Sequence, residues 1–439
     1  MNDSRYRQVV QALEARGVMP KTRPALEPTK QGLKALGLGS SFSIDPSRAV
    51  VVAGTNGKGS VCASLEALLL STGSRVGLYT SPHLIEHTER IRLSGKDISR
   101  DLFCQAYDHV SEKTRHLQLT HFETLTLMAA WAFAAGAITP PSDWMIFEVG
   151  LGGTWDATNA IPHAFNVISR LGFDHQNLLG ETLAEIAANK FGVVGQDSTV
   201  VHSPFTDGSV ASLAREAAEK TNSTWICSKS FDLSVKSQDF EEPRYLLRSE
   251  WGEAPLKLPG WRGAENTALA LTAFEALGFD PGRALHALEK VQWPGRMEKV
   301  ESANLKRRLY LSGDHNPQGI ESLVQLLKDY PRNHLHLIVG VGREKDLDGI
   351  LRPLQKLPDA SLYLTETPFR GRRIQEYGEW LKSCQGAWPD PQQALQEVLR
   401  SADPRDMIVV TGSLYLVGQI RKLFVSELLN KSDDSGGGQ

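Results

Sequence analysis

A lysine and a hydroxyl set in a glycine-rich turn, directly behind an apolar run, are the residues best placed to do chemistry: Ala49-Val50-Val51-Val52-Ala53-Gly54-Thr55-Asn56-Gly57-Lys58-Gly59-Ser60. With no side chains at Gly57 and Gly59, successive backbone N–H groups can converge on phosphate oxygens. Lys58 adds a point charge, Ser60 can reach a magnesium ion, and the helix that follows points its positive end inward. The expected guest is a nucleoside triphosphate. The strict spacing G-x-x-x-x-G-K-S/T is not kept, because Val52 takes the first glycine position and Gly59 separates Lys58 from Ser60. This is a variant phosphate loop, and an ordinary glycine-rich strand-to-helix turn is the plainer reading of the same residues.

Other candidates fall where strand-like runs end. Tyr79-Thr80-Ser81-Pro82-His83-Leu84 sets hydroxyls and an imidazole on the edge that carries the phosphate loop, although a Thr-Ser-Pro strand exit is common for structural reasons alone. Glu148 closes Trp144-Met145-Ile146-Phe147, where phosphate-handling enzymes keep a magnesium-binding acid, and Gly150-Leu151-Gly152-Gly153 behind it permits close ligand approach. Asp174-His175 follows the next run, so Ser81, Glu148 and His175 are expected to converge. Magnesium prefers oxygen, so an imidazole there favours manganese or a crowded second site. Lys190 ends Leu183-Ala184-Glu185-Ile186-Ala187-Ala188-Asn189-Lys190 and reads, from spacing alone, as a surface lysine.

These residues require a doubly wound frame. Val50 to Ala53, a helix from Ser60 to Leu70 and Arg75 to Tyr79 set a βαβ rhythm. It continues through Trp144 to Val149, Asn166 to Leu171 and Val200 to Ser203, with helices at Glu123 to Ala135 and Leu183 to Lys190. The expectation is an α/β chain: an N-terminal domain, 1–293, on a doubly wound, mainly parallel sheet, then a smaller Rossmann-like α/β domain, 294–428. The Pro294-Gly295 turn is the natural hinge, and the second domain's strands lie near Arg308 to Ser312, His334 to Val341, Ser361 to Thr365 and Met407 to Thr411. Residues 429–439 read as a small, polar, disordered tail.

The bulk numbers agree with such a pair of domains. A chain of 439 residues with 41% hydrophobic and 23% charged residues can bury two cores, and a formal charge of -3 gives no sign of a nucleic-acid or membrane binder. Cys62, Cys104, Cys227 and Cys384 are scattered without a paired spacing, which suits a reducing compartment. The polar amphipathic start, without a signal-peptide core, suits the cytoplasm.

Taken together, GTNGKGS, YTSPHL with Glu89-Arg90-Ile91, HFETLT, FEVGLGG with DATN, DHQNLLGETLAEIAANK, WPGRME, DHNP and TGSLYLVG resemble the folylpolyglutamate synthase/dihydrofolate synthase family of Mur-type ATP-dependent amide ligases. The resemblance runs from about residue 20 to 425, and SPHL, the LLGETLAEIA-Lys segment and GSLYLVG mark the folate branch. It implies that Gly57, Lys58, Gly59 and Ser60 hold ATP phosphates. Ser60, Ser81, Glu148 and His175 would bind one or two magnesium ions, and Lys190 would be carbamylated to organise that site, reversing the surface reading. Asn266 and Arg296 would contact ATP from two sides, with His315 and Asn316 completing the nucleotide end. The pterin would sit among Leu26 to Gly32, His121-Phe122-Glu123 and Trp155-Asp156-Ala157. Phe122 and Trp155 would stack on it, Glu123 or Asp156 would accept its N–H protons, and plain core packing is the competing role for Phe122. Glutamate would enter near His315 and Ser413.

The sequence departs from the family pattern in four places. Thr154 stands where an arginine precedes DATN, and Arg262 begins the stretch ending at Asn266 where the family has a histidine-glutamine pair. Ser312 stands where an acid would hold the ribose, with Asp314 two residues on, and Asn189 replaces a glutamate before the special lysine. The implied reaction joins L-glutamate to dihydropteroate or a reduced folate through an acyl phosphate, with Lys58, Lys190 and His315 as the catalytic groups and a monomer as the expected form. The competing readings are a Mur-type ligase for a non-folate carboxylate and a nucleotide-binding switch. Retention of Ser81, Glu148, His175 and Lys190 argues against the switch.

Overall fold

The computed structural model describes residues 3–17, 25–38, 43–134, 140–237, 242–302, 305 and 307–433. Two compact units emerge: Met1–Asp232 with Leu247–Lys257 and Gly263–Val291, and Leu233–Leu246 with Leu258–Arg262 and Gln292–Gln439.

The first unit is built on eight strands: β1 (Ala49–Ala53), β2 (Val76–Tyr79), β3 (Ile91–Leu93), β4 (Lys96–Asp97), β5 (Trp144–Glu148), β6 (Phe165–Ile168), β7 (Thr199–His202) and β8 (Thr224–Cys227). Their order is β4-β3-β2-β5-β1-β6-β7-β8, parallel except for the hairpin arms β3 and β4. Every residue of β1 and β5 is buried, as expected of parallel strands covered on both faces, which therefore read as unbroken apolar runs. The helices Lys58–Ser71 and His121–Ala134, buried over most of their length, pack on these strands. Register does the functional work: Val52 pairs with Glu148, Ala53 with Ile168 and Tyr79 with Phe147. The carboxyl ends of β2, β5, β1 and β6 thus finish level, and β1 sits between its neighbours where open α/β sheets bind ligands.

Several elements depart from the sequence pattern. The strand expected at Asn166 to Leu171 stops at Ile168, because the chain peels away there to back the phosphate loop. Hairpin arms of three and two residues are too short to leave a periodic signal. A three-stranded sheet, β9 (Asp232–Lys236), β10 (Arg244–Ser249) and β11 (Gly252–Leu256), in the order β11-β10-β9, is mostly polar and partly exposed.

The second unit carries β12 (Arg296–Lys299), β13 (Arg308–Ser312), β14 (Leu335–Val339), β15 (Ala360–Thr365), β16 (Gly386–Trp388) and β17 (Met407–Thr411), ordered β12-β13-β17-β14-β15-β16. Only β12 runs antiparallel. Leu337, Val339, Leu364 and Val409 anchor a core that continues into the helices Pro317–Leu326 and Leu347–Gln355. The last helix, Leu414–Asp433, enters the stretch expected to be a disordered tail: nothing in Leu429-Asn430-Lys431-Ser432-Asp433 breaks a helix, and residues 434–439 lie outside the described residues. No described helix is long and apolar enough to cross a membrane.

Within the first unit, Glu66 is buried on the helix Lys58–Ser71, with Arg92 Nη2 3.2 Å from one carboxylate oxygen and no hydrogen-bond partner for the other. Burial outweighs the arginine and lifts the carboxyl to about 7. A carboxyl raised on folding contributes stability that is full below its unfolded pKa and is lost as pH rises through 7. Glu66→Gln abolishes that loss, so its unfolding free energy from urea titration should gain on the wild type between pH 5 and pH 8, by on the order of 2 kcal/mol. An equal difference at both pH values would contradict the burial argument.

Candidate active site

The phosphate loop is held from behind. Thr55 and Asn56 donate their N–H groups to Arg170 O (3.0 and 3.3 Å), and Ser169 Oγ donates to Asn56 O (2.9 Å). Thr55 Oγ1 donates to Gly172 O (3.0 Å) and accepts from Gly172 N–H (3.1 Å). The residues after β6 therefore do for the loop what the missing first glycine of the strict motif does not. Gly57 caps the helix Lys58–Ser71 at φ 91° without any side-chain cap, and a Cβ there would lie 2.2 Å from Asn266 Oδ1. Asn266 is thus brought against the loop. Gly59 and Ser60 are buried in the helix's first turn, and its backbone N–H groups are the groups a phosphate would satisfy.

Two ammonium groups meet on one carbonyl. Lys58 Nζ donates to Gly54 O (3.2 Å) and Thr55 O (3.3 Å), and Lys190 Nζ donates to the same Gly54 O at 2.8 Å. Lys190 is only 4% exposed, which corrects the surface reading. Burial first, and repulsion from Lys58 second, bring its ammonium down to about 7. Helical spacing could not announce this, because what covers Lys190 comes from loops remote in sequence.

The helix that carries Lys190, Leu183–Phe191, starts with a capping box: Thr182 Oγ1 accepts from Glu185 N–H, while Glu185 accepts from Thr182 N–H and Glu181 N–H. Its other end is clamped by the departure Thr154, whose N–H and Oγ1 both donate to Asn189 O (2.9 and 2.8 Å). Asn159 Nδ2 ties Thr154 O to Gly192 O (3.1 and 3.0 Å), and a Cβ on Gly153 would strike the Lys190 backbone. Thr154 was legible in the sequence only as a departure; the structure gives it a mechanical role.

Glu148, buried at the end of β5, accepts from Ser81 N–H (3.0 Å), which brings these two expected metal residues together. His175 stands apart in burial: its side chain is 44% exposed, at φ 50°, with Nε2 3.9 Å from Asp174 Oδ1. Among the described residues no three His, Cys, Asp or Glu side chains gather into a ready-made metal cage. A single buried carboxylate fits magnesium, which keeps waters and takes substrate phosphates as ligands, better than it fits a metal held by protein alone.

On the expected acceptor side, Phe122 packs against Tyr79 (5.8 Å between ring centres) and fills the space a Gly150 side chain would need. Glu123 closes a reciprocal box with Thr120, accepting from its N–H (2.7 Å) and Oγ1 (2.8 Å). Asp156 is buried and already accepts from Gly150, Leu151 and Thr158 N–H groups and from Thr158 Oγ1, so it shapes the loop that presents Ala157. Trp155, in contrast, is 44% exposed. Behind His121 lies a cluster the motifs did not reveal. Arg90 Nε donates to His83 Nδ1 (2.8 Å), the His83 and His87 rings lie 4.2 Å apart, and His87 Nε2 meets His121 Nε2 at 3.1 Å. Burial, then Arg90, depresses all three, His87 to about 3 and His121 to about 4, so the wall is neutral at pH 7.

In the second unit Arg296 pairs in register with Ser312, and Gly313 N–H donates to Gly295 O (2.7 Å). Ser312 Oγ donates to Asp314 Oδ2 at 2.6 Å, so the expected acid is replaced by a hydroxyl–carboxylate pair. Asp314 O accepts from Gly412 N–H and Thr411 Oγ1, which laces the exits of β13 and β17. His315 donates Nδ1–H to Gly313 O (2.9 Å), and Ser413 Oγ accepts from Tyr415 N–H (3.2 Å). Arg296, Ser312, Asp314, His315 and Ser413 therefore share one sheet edge. Arg262, the other departure, donates Nε–H to Ser322 Oγ (2.9 Å).

Comparison with known proteins agrees with this arrangement. Residues 295–414 match the model of the Mur ligase, glutamate ligase domain. The chain is 30% identical over 402 residues to the folylpolyglutamate synthase of Lacticaseibacillus casei, covering 85% of this chain and 89% of that protein. It is 29% identical to the dihydrofolate synthase/folylpolyglutamate synthase of Bacillus subtilis, over 85% and 90% of the two chains. Among solved structures, Mycobacterium tuberculosis folylpolyglutamate synthase with ADP superposes with a TM-score of 0.83 at 28% identity, over 96% and 98% of the chains. Escherichia coli FolC with DHPP and ADP gives 0.81 at 25%, over 95% and 98%. The bifunctional enzyme of Yersinia pestis with AMPPNP and a manganese ion gives 0.79 at 26%, over 95% and 97%.

The Thr154 clamp makes a direct prediction. Thr154→Val removes a half-buried donor to Asn189 O, should cost about 1 kcal/mol, and should speed amide exchange over residues 189–193, whereas Thr154→Ser retains wild-type protection. Equal exchange in both variants would show that the hydroxyl does not hold this helix end.

Proposed function

Starting from the folylpolyglutamate synthase/dihydrofolate synthase family, to which this chain belongs, we propose how its residues divide the work of an ATP-dependent, ADP-forming ligase that joins L-glutamate to the carboxylate of a folate-class acceptor. The observation that carries the assignment is the helix start at Gly57, uncapped by any side chain, with Lys58 and the buried Lys190 converging beside it on Gly54 O. Residues 1–293, apart from Leu233–Leu246 and Leu258–Arg262, which belong to the second unit, then form the ATP-binding domain, and 294–428 the glutamate-ligating domain.

A carboxylate is a poor electrophile, so activation must precede amide formation. An acceptor oxygen attacks the γ-phosphorus and ADP leaves. The glutamate amine then attacks the acyl carbon of the resulting acyl phosphate, inorganic phosphate departs, and the amine loses a proton. Gly57, Lys58, Gly59 and Ser60 hold the phosphates, Lys58 balances the charge that builds on the transferring group, and Asn266, Arg296 and the Ser312–Asp314 pair hold the rest of the nucleotide. Ser60, Ser81 and Glu148 would hold a magnesium or manganese ion, with His175 at a second; such an ion, when bound, neutralises developing phosphate charge. Phe122, Glu123, Trp155, Asp156 and Ala157 frame the acceptor, and His315 and Ser413 orient the amino acid.

Lys190 suits carbamylation. An amine near pKa 7 carries a lone pair at neutral pH in much of the population, and its attack on carbon dioxide, with loss of a proton, replaces a buried cation by a carboxylate. Dihydropteroate and reduced folate are both candidate acceptors, and a cytoplasmic monomer is the working form.

Purified protein should release phosphate from ATP in the presence of magnesium, glutamate and either dihydropteroate or tetrahydrofolate, with product masses raised by one glutamyl residue. Turnover with one acceptor alone assigns that single activity. Turnover with neither, despite ATP binding, contradicts the folate reading and points to another carboxylate. Lys190→Ala should lower kcat by about 100-fold or more, the scale of losing an electrostatic catalytic group, with partial recovery in formate or acetate. Undiminished kcat in that variant removes Lys190 from catalysis.

A further inference from the structure

The loop that delivers Ser81 to Glu148 is closed from behind by a residue the mechanism does not use. Between β2 and β3 the chain leaves through residues 80–90 and returns beside itself, because Tyr79 pairs with Ile91 in antiparallel register. Thr80 N–H donates to Arg90 O (2.9 Å) at the neck of this loop, and Arg90 Nε–H reaches back across it to His83 Nδ1 (2.8 Å). Arg90 therefore holds the chain on both sides of Ser81, at the residue before it and again at His83 beyond it.

Both ends of this grip are fixed in turn. Arg90 is only 8% exposed and ends the short turn His87–Arg90, where the Glu89 carboxylate accepts from the Leu84, Ile85 and Glu86 N–H groups (2.7, 2.9 and 2.8 Å). The His83 ring packs 4.2 Å from that of His87, which is buried and meets buried His121 at 3.1 Å. Toward the sheet interior, β2 runs parallel to β5 with Tyr79 paired to Phe147. That register sets Ser81 beside the end of β5, where its N–H donates to Glu148 Oε2 (3.0 Å).

We infer that Arg90 and His83 are positioning residues for the metal site: their hydrogen bond fixes the Ser81 backbone and, through the Ser81 N–H, the Glu148 carboxylate. The inference rests on the reading that Ser81 and Glu148 hold a divalent ion. A ligating carboxylate is oriented by the hydrogen bonds it accepts, and such partners outside the ligand set are worth about 10–100-fold in metal affinity. Arginine suits the task because its guanidinium is planar, always a donor and never an acceptor, so it can hold an imidazole nitrogen in only one sense. A loop closed at Thr80 alone would leave Ser81 anchored on one side.

The test is titration of the full-length protein with manganese in the presence of AMPPNP, followed by electron spin resonance of the ion, together with amide exchange over residues 80–84 in the absence of metal. His83→Leu removes the acceptor while keeping Arg90 and the neck at Thr80. It should weaken manganese binding by about tenfold and speed exchange of the Ser81 amide, leaving metal-free AMPPNP affinity unchanged. His83→Asn puts an amide oxygen where Nδ1 stood and should bind manganese as the wild type does. Arg90→Met should match His83→Leu, and the double variant should be no weaker than either, as two ends of one interaction require. Faster exchange with unchanged manganese affinity in His83→Leu overturns the inference, as does a His83→Asn variant as weak as His83→Leu. Glu148→Ala separates the two readings. Manganese binding undiminished by that change overturns the metal reading and this inference together, whereas binding lost in Glu148→Ala and intact in His83→Leu overturns this inference alone.

Discussion

The carbonyl of Gly54 accepts from two lysines, and much of the first unit is arranged to make that tolerable. A buried ammonium is costly unless paired or neutralised, and Lys190 is buried beside another cation. The helix that carries the lysine is held at both ends, through the capping box at Thr182 and the double donation from Thr154 at the opposite end, which keeps the ammonium on its carbonyl partner. The loop that supplies the carbonyl is pinned in turn by the segment leaving β6. A cation so placed is poised either to meet phosphate or to be chemically converted.

How much of this was legible depended on where the partners lie. The parallel strands β1, β5, β13 and β17 read clearly because burial on both faces leaves continuous apolar runs, and the strand-to-helix turn at Gly54 to Ser60 carries its chemistry in adjacent residues. Lys190 did not read from spacing, since its ammonium is buried against the Gly54 carbonyl, 136 residues away in sequence. Asp156 stands in a sequence setting that resembles that of a ligand-binding acid, but its four hydrogen bonds to groups of its own loop could not be read from spacing. The histidine wall behind His121 draws on three separate motifs and only folding unites them.

The departures from the family pattern are each tied to a neighbouring group. Ser312 lacks the charge of an acid, yet its hydroxyl fixes Asp314 two residues on. Thr154 lacks the reach of an arginine and instead terminates the helix under Lys190. Asn189 gives up a carboxylate, but its backbone carbonyl becomes the anchor for Thr154, and its side chain sits against Gly152 where any larger neighbour would collide.

The hairpin that ends the large sheet matters beyond its size. A parallel sheet has no intrinsic stopping point, and an exposed last strand is a template on which another chain can pair. Here β3 reverses direction and β4 is only Lys96-Asp97, two exposed residues of opposite charge followed at once by a helix beginning at Arg100. That margin is too short and too hydrated to recruit a foreign strand. The hairpin thus gives the sheet a finished border on one side, where pairing with another chain would bury two charged residues.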